Sequence, residues 1–383
     1  MKKKKILLCV AVTSMIAVTG TVLAINGGLN SSSAFASNGD VWYHYAAVEP
    51  TETTHGSKEF WASSADGCTT HTFTDPGVTC VEHDFSENDY FASLPRDDDR
   101  YVFSLSEQRD LGILPVITGN TVTYGLYPQK NVNDEELLTA LNALPETDGY
   151  YFYENVYYAK LSATPYNSGC VFDNGTTIVS GTTYWFKCEP IVWNILSNNS
   201  GEYYIVSSVL LDAHCYYNST SSRKIDGQTV YANNYKYSDI RTWLNADFYN
   251  SAFALGNSHI QTTTVNNSAA TTDNTSNSYA CANTEDKVFL PSYKDYINSS
   301  YGFSTSTSAS NTRCCKTTDW ARARGAWYST NSSYLYNCYY WSRSPYSGTY
   351  ASAWPVCTDG SLGYYGVRNT QYSVRPAITV MIA

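Results

Sequence analysis

One group of side chains in the sequence has the types and spacing of a metal site. Cys68-Thr-Thr-His71 and Cys80-Val-Glu-His83 repeat a Cys-x-x-His unit with eight residues between the copies. Two thiolates and two imidazoles suit tetrahedral zinc, and the x-x spacing lets both ligands of a unit reach one ion. The ligand order is unusual for structural zinc, so a Cys68–Cys80 disulfide and free side chains stay open as alternatives. Structural zinc in 68–83 is the one cofactor that the residues suggest.

No catalytic motif accompanies this group. His214 and His259 are isolated, and the sequence contains no nucleophile elbow, phosphate loop or zincin motif. The acidic run 134–136 is better explained as the first turn of a helix, where carboxylates are favourable. We therefore predict that the protein is not an enzyme.

The first 36 residues have the pattern of a signal peptide. Lys2–Lys5 precede an apolar stretch, Ile6–Ile25, and the following spacer ends in Ala34-Phe35-Ala36, the small-x-small pattern that signal peptidase reads. An uncleaved anchor is the alternative, because about 20 residues can span a bilayer. The interrupted apolar run and the cleavage site favour cleavage after Ala36. The mature chain is then secreted or at the cell surface, with no transmembrane span.

The charge of the mature chain limits the classes of binding partner, and its cysteine count bears on disulfides. Loss of four lysines with the signal peptide changes the formal net charge from −10 to −14, which disfavours nucleic acid and anionic lipid as partners. Ten cysteines remain outside the cell, an even number that permits disulfides, but their spacing forms no repeated framework.

Patterning divides the mature chain into two parts. Residues 37–110 contain short alternating runs, such as 41–45 and 59–62, and predict a small β-rich module. Residues 111–383 predict an α+β domain. Its strands include 122–127, ended by Pro128, and a hairpin of 185–196 with 203–211.

Helices and loops complete the second part. We expect a helix capped by Asn133, a second over 238–249 capped by Ser238, and a third that follows Ser292 after a short strand at 288–291. The polar stretch 257–280 predicts a long surface loop, and 339–382 predicts short strands divided by turns.

The order of several motifs in this second part resembles a known family. The motifs are Trp185-Phe-Lys-Cys-Glu-Pro-Ile-Val-Trp-Asn-Ile-Leu196, Ile240-Arg-Thr-Trp-Leu-Asn245, Asp286-Lys-Val-Phe-Leu-Pro291, Tyr340-Trp-Ser-Arg-Ser-Pro345, Asp359-Gly360 and Ser373-Val-Arg-Pro-Ala377. Together they resemble uncharacterised exported bacterial proteins, mostly of Gram-positive anaerobes, whose domain is similar to the C-type-lectin-like fold of formylglycine-generating enzymes. The resemblance implies a C-type-lectin-like domain over 111–383, with short twisted antiparallel strands, two or three helices and long loops. Those enzymes use a cysteine pair and copper; the adjacent Cys314 and Cys315 cannot easily converge on one ion, so the activity is not carried over.

The closing segment, 328–376, also resembles the variable proteins of diversity-generating retroelements. In those proteins adenine-directed mutagenesis rewrites a lectin-like surface while the scaffold stays fixed. Random change of an adenine-rich Asn codon yields mainly Asn, Tyr, Ser, Asp, His, Thr, Gly, Cys and Arg. Eleven positions fit that set and flank the fixed-looking Trp354, Asp359, Gly360 and Arg375. They are Tyr346, Thr349, Tyr350, Ser352, Cys357, Tyr364, Tyr365, Gly366, Arg368, Asn369 and Tyr372. We assign Arg343 and Arg375 to the scaffold, stacked on Trp341 or paired with an acid.

Tyrosine is unusually abundant in the chain, and the closing segment accounts for part of that abundance. The chain has 35 tyrosines against 13 phenylalanines, and ten of them lie between residues 328 and 372 among Ser, Asn, Thr and Gly. This is the composition of antibody-type binding loops, although tyrosines lining the edges of a β-rich domain are an alternative. The predicted ligand-binding residues are Tyr346, Thr349, Tyr350, Ser352, Trp354, Cys357, Tyr364, Tyr365, Arg368, Asn369 and Tyr372.

The sequence thus predicts an exported protein that binds an unknown protein or glycan through an exposed tyrosine surface. Tyr346, Tyr350, Tyr364, Tyr365 and Tyr372 are expected on one exposed face. A cell-envelope hydrolase or modifying enzyme and a purely structural surface protein are the alternatives.

Overall fold

The computed structural model describes the backbone of three short strands at 42–46, 59–63 and 79–83, and residues 105–146 and 149–382. Side chains are described from residue 107 onward. The predicted signal peptide and the ligands Cys68 and His71 lie outside the described residues, as do the side chains of Cys80 and His83. Zinc and its alternatives therefore stay predictions.

Three strands near the N-terminus pair in antiparallel fashion. β1 (Trp42–Ala46) lies between β2 (Glu59–Ser63) and β3 (Thr79–His83). The alternating runs at 41–45 and 59–62 are therefore strands, as predicted. A short helix, α1 (Leu105–Asp110), follows. The chain divides into two compact units, residues 1–114 with 255–258 and residues 115–254 with 259–383.

The second unit contains many antiparallel strands and short helices in an α+β arrangement. The strands are β4 (Val116–Thr118), β5 (Thr121–Asn131), β6 (Tyr151–Tyr153), β7 (Val156–Ser162), β8 (Thr183–Asn199), β9 (Glu202–Ser207), β10 (Asp212–Ala213), β11 (Arg223–Ile225), β12 (Gln228–Val230), β13 (Thr263–Val265), β14 (Thr284–Asp286), β15 (Tyr340–Pro345), β16 (Ser352–Val356), β17 (Tyr365–Gly366), β18 (Ser373–Val374) and β19 (Ala377–Met381). The helices are α2 (Glu135–Asn142), α3 (Asp239–Trp243), α4 (Tyr249–Ala252) and α5 (Asp319–Ala323), with a π-helical turn, Leu244–Phe248, between α3 and α4.

Two sheets organise this unit. The larger has the order β19-β9-β8-β5-β4, with β7 also pairing β8 and β6 pairing β7. The smaller has the order β10-β18-β15-β16-β17 and contains most of the closing segment. Only two residues, Arg375 and Pro376, separate β18 from β19, so the C-terminus passes directly from the smaller sheet to the larger.

A shared core joins the sheets. Trp193 of the larger sheet and Trp341 of the smaller are fully buried in one cluster, with Ile240 and Phe248 of the helical segment. Both indole N–H groups are satisfied: Trp193 Nε1 donates to the Tyr124 carbonyl at 2.7 Å and Trp341 Nε1 donates to the His214 carbonyl at 3.0 Å. Burial of side chains this large contributes about 2–3 kcal/mol each.

Several local predictions are confirmed. β8 and β9 form the predicted hairpin, and its turn contains Ser200 and Gly201, both at positive φ. Ser238 caps α3, since its side chain accepts a hydrogen bond from the Arg241 N–H. Residues 339–382 form a series of short strands, β15 to β19, as predicted.

Other local predictions are wrong. β5 continues past Pro128. At that position β5 pairs with β8 on one side only, because its pairing with β4 on the other side ends at Thr123. The missing N–H of proline is therefore tolerated. The cap of α2 is Asp134 rather than Asn133. Phe289 forms a single bridge to Ala377 in place of a strand, and the turn after Ser292 is only three residues of 3-10 helix, 295–297.

The polar stretch 257–280 is also more structured than predicted. It contains β13, and the side chains of Asn267, Thr272 and Asn277 are buried. The amide N–H groups of Asn267 and Asn277 and the Thr272 hydroxyl find partners within the protein; Asn277 Nδ2, for example, donates to the Pro345 carbonyl at 3.0 Å. Polar composition therefore did not mean exposure here, because hydrogen bonds satisfy the buried donors.

Candidate functional site

The eleven predicted binding residues differ in exposure. Tyr350, Tyr364 and Tyr365 expose 44%, 53% and 40% of their surface, and Arg368 is exposed as well. The half-buried members are Tyr346, Thr349, Ser352, Trp354, Cys357 and Asn369. Tyr372 is buried at 5%.

The Tyr364 cluster comprises Tyr293, Tyr346, Trp354 and Tyr364. The Tyr346 and Tyr364 rings stack in parallel, with centroids 3.9 Å apart and planes 6° apart. The Trp354 ring meets both edge-on, and Tyr293 packs against Trp354 with centroids 4.8 Å apart. Such ring pairs contribute about 0.5–1.5 kcal/mol beyond area burial. The exposed Tyr364 ring is thus held in a fixed orientation by its neighbours.

The Tyr365 cluster comprises Trp327, Tyr339, Tyr365 and Tyr372. Tyr372 stacks on Tyr339 with centroids 4.9 Å apart and planes 12° apart, and Tyr365 meets both nearly edge-on. Tyr372 also packs on the buried Trp341. The prediction that Tyr372 belongs to an exposed surface is therefore wrong: its ring is part of the core and supports Tyr365 from beneath.

The strand geometry explains why neighbouring tyrosines belong to different clusters. In β17, Tyr365 lies opposite Ala353, whose side chain is in the shared core. Trp354, the next residue of β16, points to the opposite face, because side chains alternate along a strand. Tyr364 joins Trp354 on that face. The predicted tyrosines therefore occupy two faces of the β15–β17 ribbon, and the expectation of one common face is wrong.

A third group lies at the tip of the β15–β16 hairpin. Tyr350 packs against Tyr231 with centroids 6.0 Å apart, and Tyr231 packs against Tyr279 with centroids 5.0 Å apart. The hairpin loop, 346–351, thus begins in the Tyr364 cluster and carries Tyr350 near its end. We call the Tyr364 cluster and Tyr350 together the tip surface.

Asn233 holds this loop from beneath. Its side chain is fully buried, and Nδ2 donates to the carbonyls of Thr349 and Ser352, both at 2.9 Å. Its backbone N–H donates to the Tyr350 carbonyl at 3.0 Å. On the other side of the loop, the Asp273 carboxylate accepts hydrogen bonds from the hydroxyl and the N–H of Ser347. The loop is therefore held from both sides by hydrogen bonds within the protein.

The far end of the ribbon is held by a buried arginine. All five N–H groups of Arg313 donate to backbone carbonyls, those of Tyr296, Ser304, Ser306, Ser308 and Gly360, at 2.6 to 3.1 Å. Gly360 has a φ of 76°, and a Cβ there would lie 2.0 Å from the Ser310 carbonyl oxygen. Any residue with a Cβ would therefore clash with the backbone at this turn, so the position requires glycine.

The two scaffold arginines differ from one another. Arg343 is buried and pairs with the Asp295 carboxylate at 3.0 Å, as one of the two predicted alternatives requires. Arg375 donates to the Ser207 carbonyl and the Tyr340 hydroxyl and lies over the Tyr340 ring. Its aromatic partner is thus Tyr340 rather than Trp341.

The protonation of the aromatic groups follows from their surroundings. Desolvation, reinforced by Tyr365 and Cys357, raises the pKa of Tyr339 to about 12. Desolvation, then Tyr364 and Asp273, raises the pKa of Tyr346. These phenols stay neutral at physiological pH, so their hydroxyls can both donate and accept hydrogen bonds.

The other predicted chemical groups do not converge. The Cys314 sulfur lies near the Thr358 carbonyl and the Cys315 sulfur near the Ser208 carbonyl, so the adjacent thiols face different neighbours. The His214 ring stacks on Trp243. Among the described residues, no group of three or more His, Cys, Asp or Glu side chains could hold a metal ion. Within the same residues, no helix has the length and apolar character needed to cross a membrane.

Sequence reasoning missed three contributors to the site, Asn233, Tyr231 and Tyr293. Each lies more than 45 residues before Tyr339 in the chain and reaches the site only through the fold. Nothing in their local sequence distinguishes them from other polar and aromatic residues of the domain.

Comparison with known proteins gives one match. No curated protein and no solved structure is significantly similar to the chain. The matched segment, residues 200–382, begins in the β8–β9 turn and ends after β19. It includes the whole β15–β17 ribbon and the tip surface. Residues 200–382 correspond to the domain of unknown function DUF6273.

Proposed function

We propose that the protein is an exported binding protein that uses the tip surface to contact a protein or glycan target. The observation that carries this proposal is Tyr364, whose ring is about half exposed yet fixed by Tyr346 and Trp354. Rigid tyrosines supply a large amphipathic contact area at low entropic cost. Polar groups beside the rings, such as Ser347 with Asp273, can supply orientation.

The fold and origin of this surface are part of the proposal. A C-type-lectin-like scaffold over 111–383 is consistent with the short antiparallel strands, few helices and long ordered loops of the second unit. Diversification by a retroelement is consistent with the contrast in the closing segment, where Gly360 and Arg375 are sterically or electrostatically constrained and Tyr350, Tyr364 and Arg368 are exposed. A reverse transcriptase gene beside a near-copy of the closing segment that differs at adenines supports this origin; its absence leaves an ordinary undiversified surface.

Binding is tested with the full exported chain on an array of glycans and on intact bacterial and animal cells. Tyr364→Ala and Tyr350→Ala are expected to weaken binding about tenfold or more each, as loss of a central tyrosine does in protein interfaces. Tyr166→Ala is the matched control, because Tyr166 is also exposed, at 38%, and lies outside the tip surface. Binding that is unchanged in both tip variants contradicts the proposal.

A further inference from the structure

Two buried cysteines of the second unit lie directly opposite each other. Lys316 and Asn337 form an antiparallel bridge, which places Cys315 opposite Cys338 at the next position. The Cys338 N–H donates to the Cys315 carbonyl at 3.3 Å, and two residues further along the Thr317 N–H donates to the Tyr336 carbonyl at 2.9 Å. Cys315 and Cys338 are therefore opposed residues at a hydrogen-bonding position of the antiparallel pair, with one of the two N–H···O bonds of that position formed.

The Cα spacing typical of that position matches the Cα spacing of a disulfide. The Cα atoms of a hydrogen-bonded antiparallel pair are about 5.5 Å apart, and bridged cysteines have Cα atoms about 5.5–6 Å apart. Side chains of opposed residues emerge on the same face of the ladder. Both thiols are buried in one apolar cluster with Leu210, Tyr340 and Val356.

The two sulfurs now make separate weak contacts. The Cys315 thiol donates to the Ser208 carbonyl at 3.4 Å and the Cys338 thiol to the Gln371 carbonyl at 3.6 Å. Such contacts are weak. Rotation of each side chain about its Cα–Cβ bond toward the other therefore costs little free energy. None of the other described cysteines has a cysteine opposite it in the strand pairings.

We propose that Cys315 and Cys338 are a disulfide-forming pair that ties the segment before α5 to the start of β15. A small-molecule or protein disulfide is the oxidant. One cysteine thiolate attacks it, releases one thiolate and forms a mixed disulfide; the second cysteine thiolate then displaces the other thiolate. The two cysteines lose two protons and two electrons, and the oxidant becomes two thiols.

The bond fixes the base of the tip surface. β15 begins two residues after Cys338, and its hairpin carries Tyr346 and Tyr350. The closed loop contains 22 residues, 316–337, a length at which a disulfide restricts the unfolded chain appreciably. Burial raises the pKa of Cys338 to about 12 and also raises that of Cys315, so the folded protein holds little thiolate and the bond forms mainly before the strands close.

The test maps cysteines in the full chain after two treatments: native protein incubated with oxidised glutathione, and denatured protein refolded with it. Free thiols are blocked with iodoacetamide in denaturant, and unreduced peptides are analysed by mass spectrometry. We expect a cross-linked peptide pair containing Cys315 and Cys338, more abundant after refolding. The pair persists in Cys314→Ser and disappears in Cys315→Ser, which separates the two adjacent thiols.

Stability provides a second readout. The oxidised protein is expected to melt about 5 °C or more above the reduced protein, and Cys170→Ala, which removes a buried thiol elsewhere, is expected to keep that difference. Alkylation of both Cys315 and Cys338 after both treatments overturns the proposal. A bridge from Cys338 to another cysteine, such as Cys357, overturns it as well.

Discussion

Replacement of Asn233 by Asp tests whether one buried amide orders the hairpin loop of the tip surface. The exchange keeps the shape of the side chain and replaces Nδ2, which donates to the Thr349 and Ser352 carbonyls at 2.9 Å, by an oxygen. Two hydrogen bonds of about 1 kcal/mol each are lost, and a buried oxygen then faces two carbonyl oxygens. We expect a loss of about 3–5 kcal/mol in the free energy of unfolding at pH 7.

The loss should depend on pH. Burial and the two carbonyl oxygens disfavour the charge, so the pKa of the introduced carboxyl is raised in the folded state. Protonation restores one donor. The restored stability is complete below the unfolded-state pKa of about 3.9 and is lost as the pH rises through the folded-state pKa.

Urea unfolding of Asn233→Asp at pH 4 and pH 7 measures both effects, each relative to wild type at the same pH. Hydrogen exchange of residues 346–352 reports whether the loop opens before the core. Asn250→Asp is the control, because Asn250 is exposed on α4, and it should change stability by less than about 0.5 kcal/mol. Wild-type stability in Asn233→Asp, or an equal loss at both pH values, refutes the reasoning.

Three further perturbations test the scaffold. Arg313→Lys keeps the charge but leaves at least two of the five carbonyls around the buried guanidinium without their donor, so urea unfolding should show a loss of about 2 kcal/mol or more; a loss below 1 kcal/mol contradicts this. Gly360→Ala places a Cβ 2.0 Å from a backbone oxygen and should lower the melting temperature by about 5 °C or more, whereas Gly366→Ala, where a Cβ meets no atom, should change it little. Desolvation raises the pKa values of Tyr127, Tyr204 and Tyr296 well above the usual value for tyrosine. The free energy of unfolding should therefore be constant below about pH 10 and should fall above it, by about 1.4 kcal/mol per pH unit for each of these tyrosines. Unfolding curves that do not change between pH 9 and pH 11 argue against this.

Local sequence signals predicted much of the fold. The hairpin of β8 and β9 follows from two β-rich runs around a turn, and the Ser238 cap precedes a helical run with apolar residues on one face. The predictions failed where residues distant in the sequence determine the local structure. Pro128 stays within β5 because β4 is absent beside it, and Asn277 is buried because the Pro345 carbonyl lies within reach.

The site was predicted less completely for the same reason. Composition identified the closing segment as tyrosine-rich, but composition does not distinguish an exposed ring from a buried one. Tyr372 packs on Trp341 and Tyr339 in the core, while Tyr364 extends from the edge strand. Alternation along adjacent strands then places Tyr364 and Tyr365 on different faces, which a sequence without strand register cannot reveal.

Hydroxyl-radical footprinting of the full chain, free and bound to the glycan or cell that gives the strongest array signal, tests the central claim most directly. The account predicts that oxidation of Tyr364 and Tyr350 falls severalfold on binding while that of Tyr166 is unchanged, since only the first two belong to the tip surface. Unchanged oxidation of Tyr364 and Tyr350 together with protection of Tyr166 contradicts it.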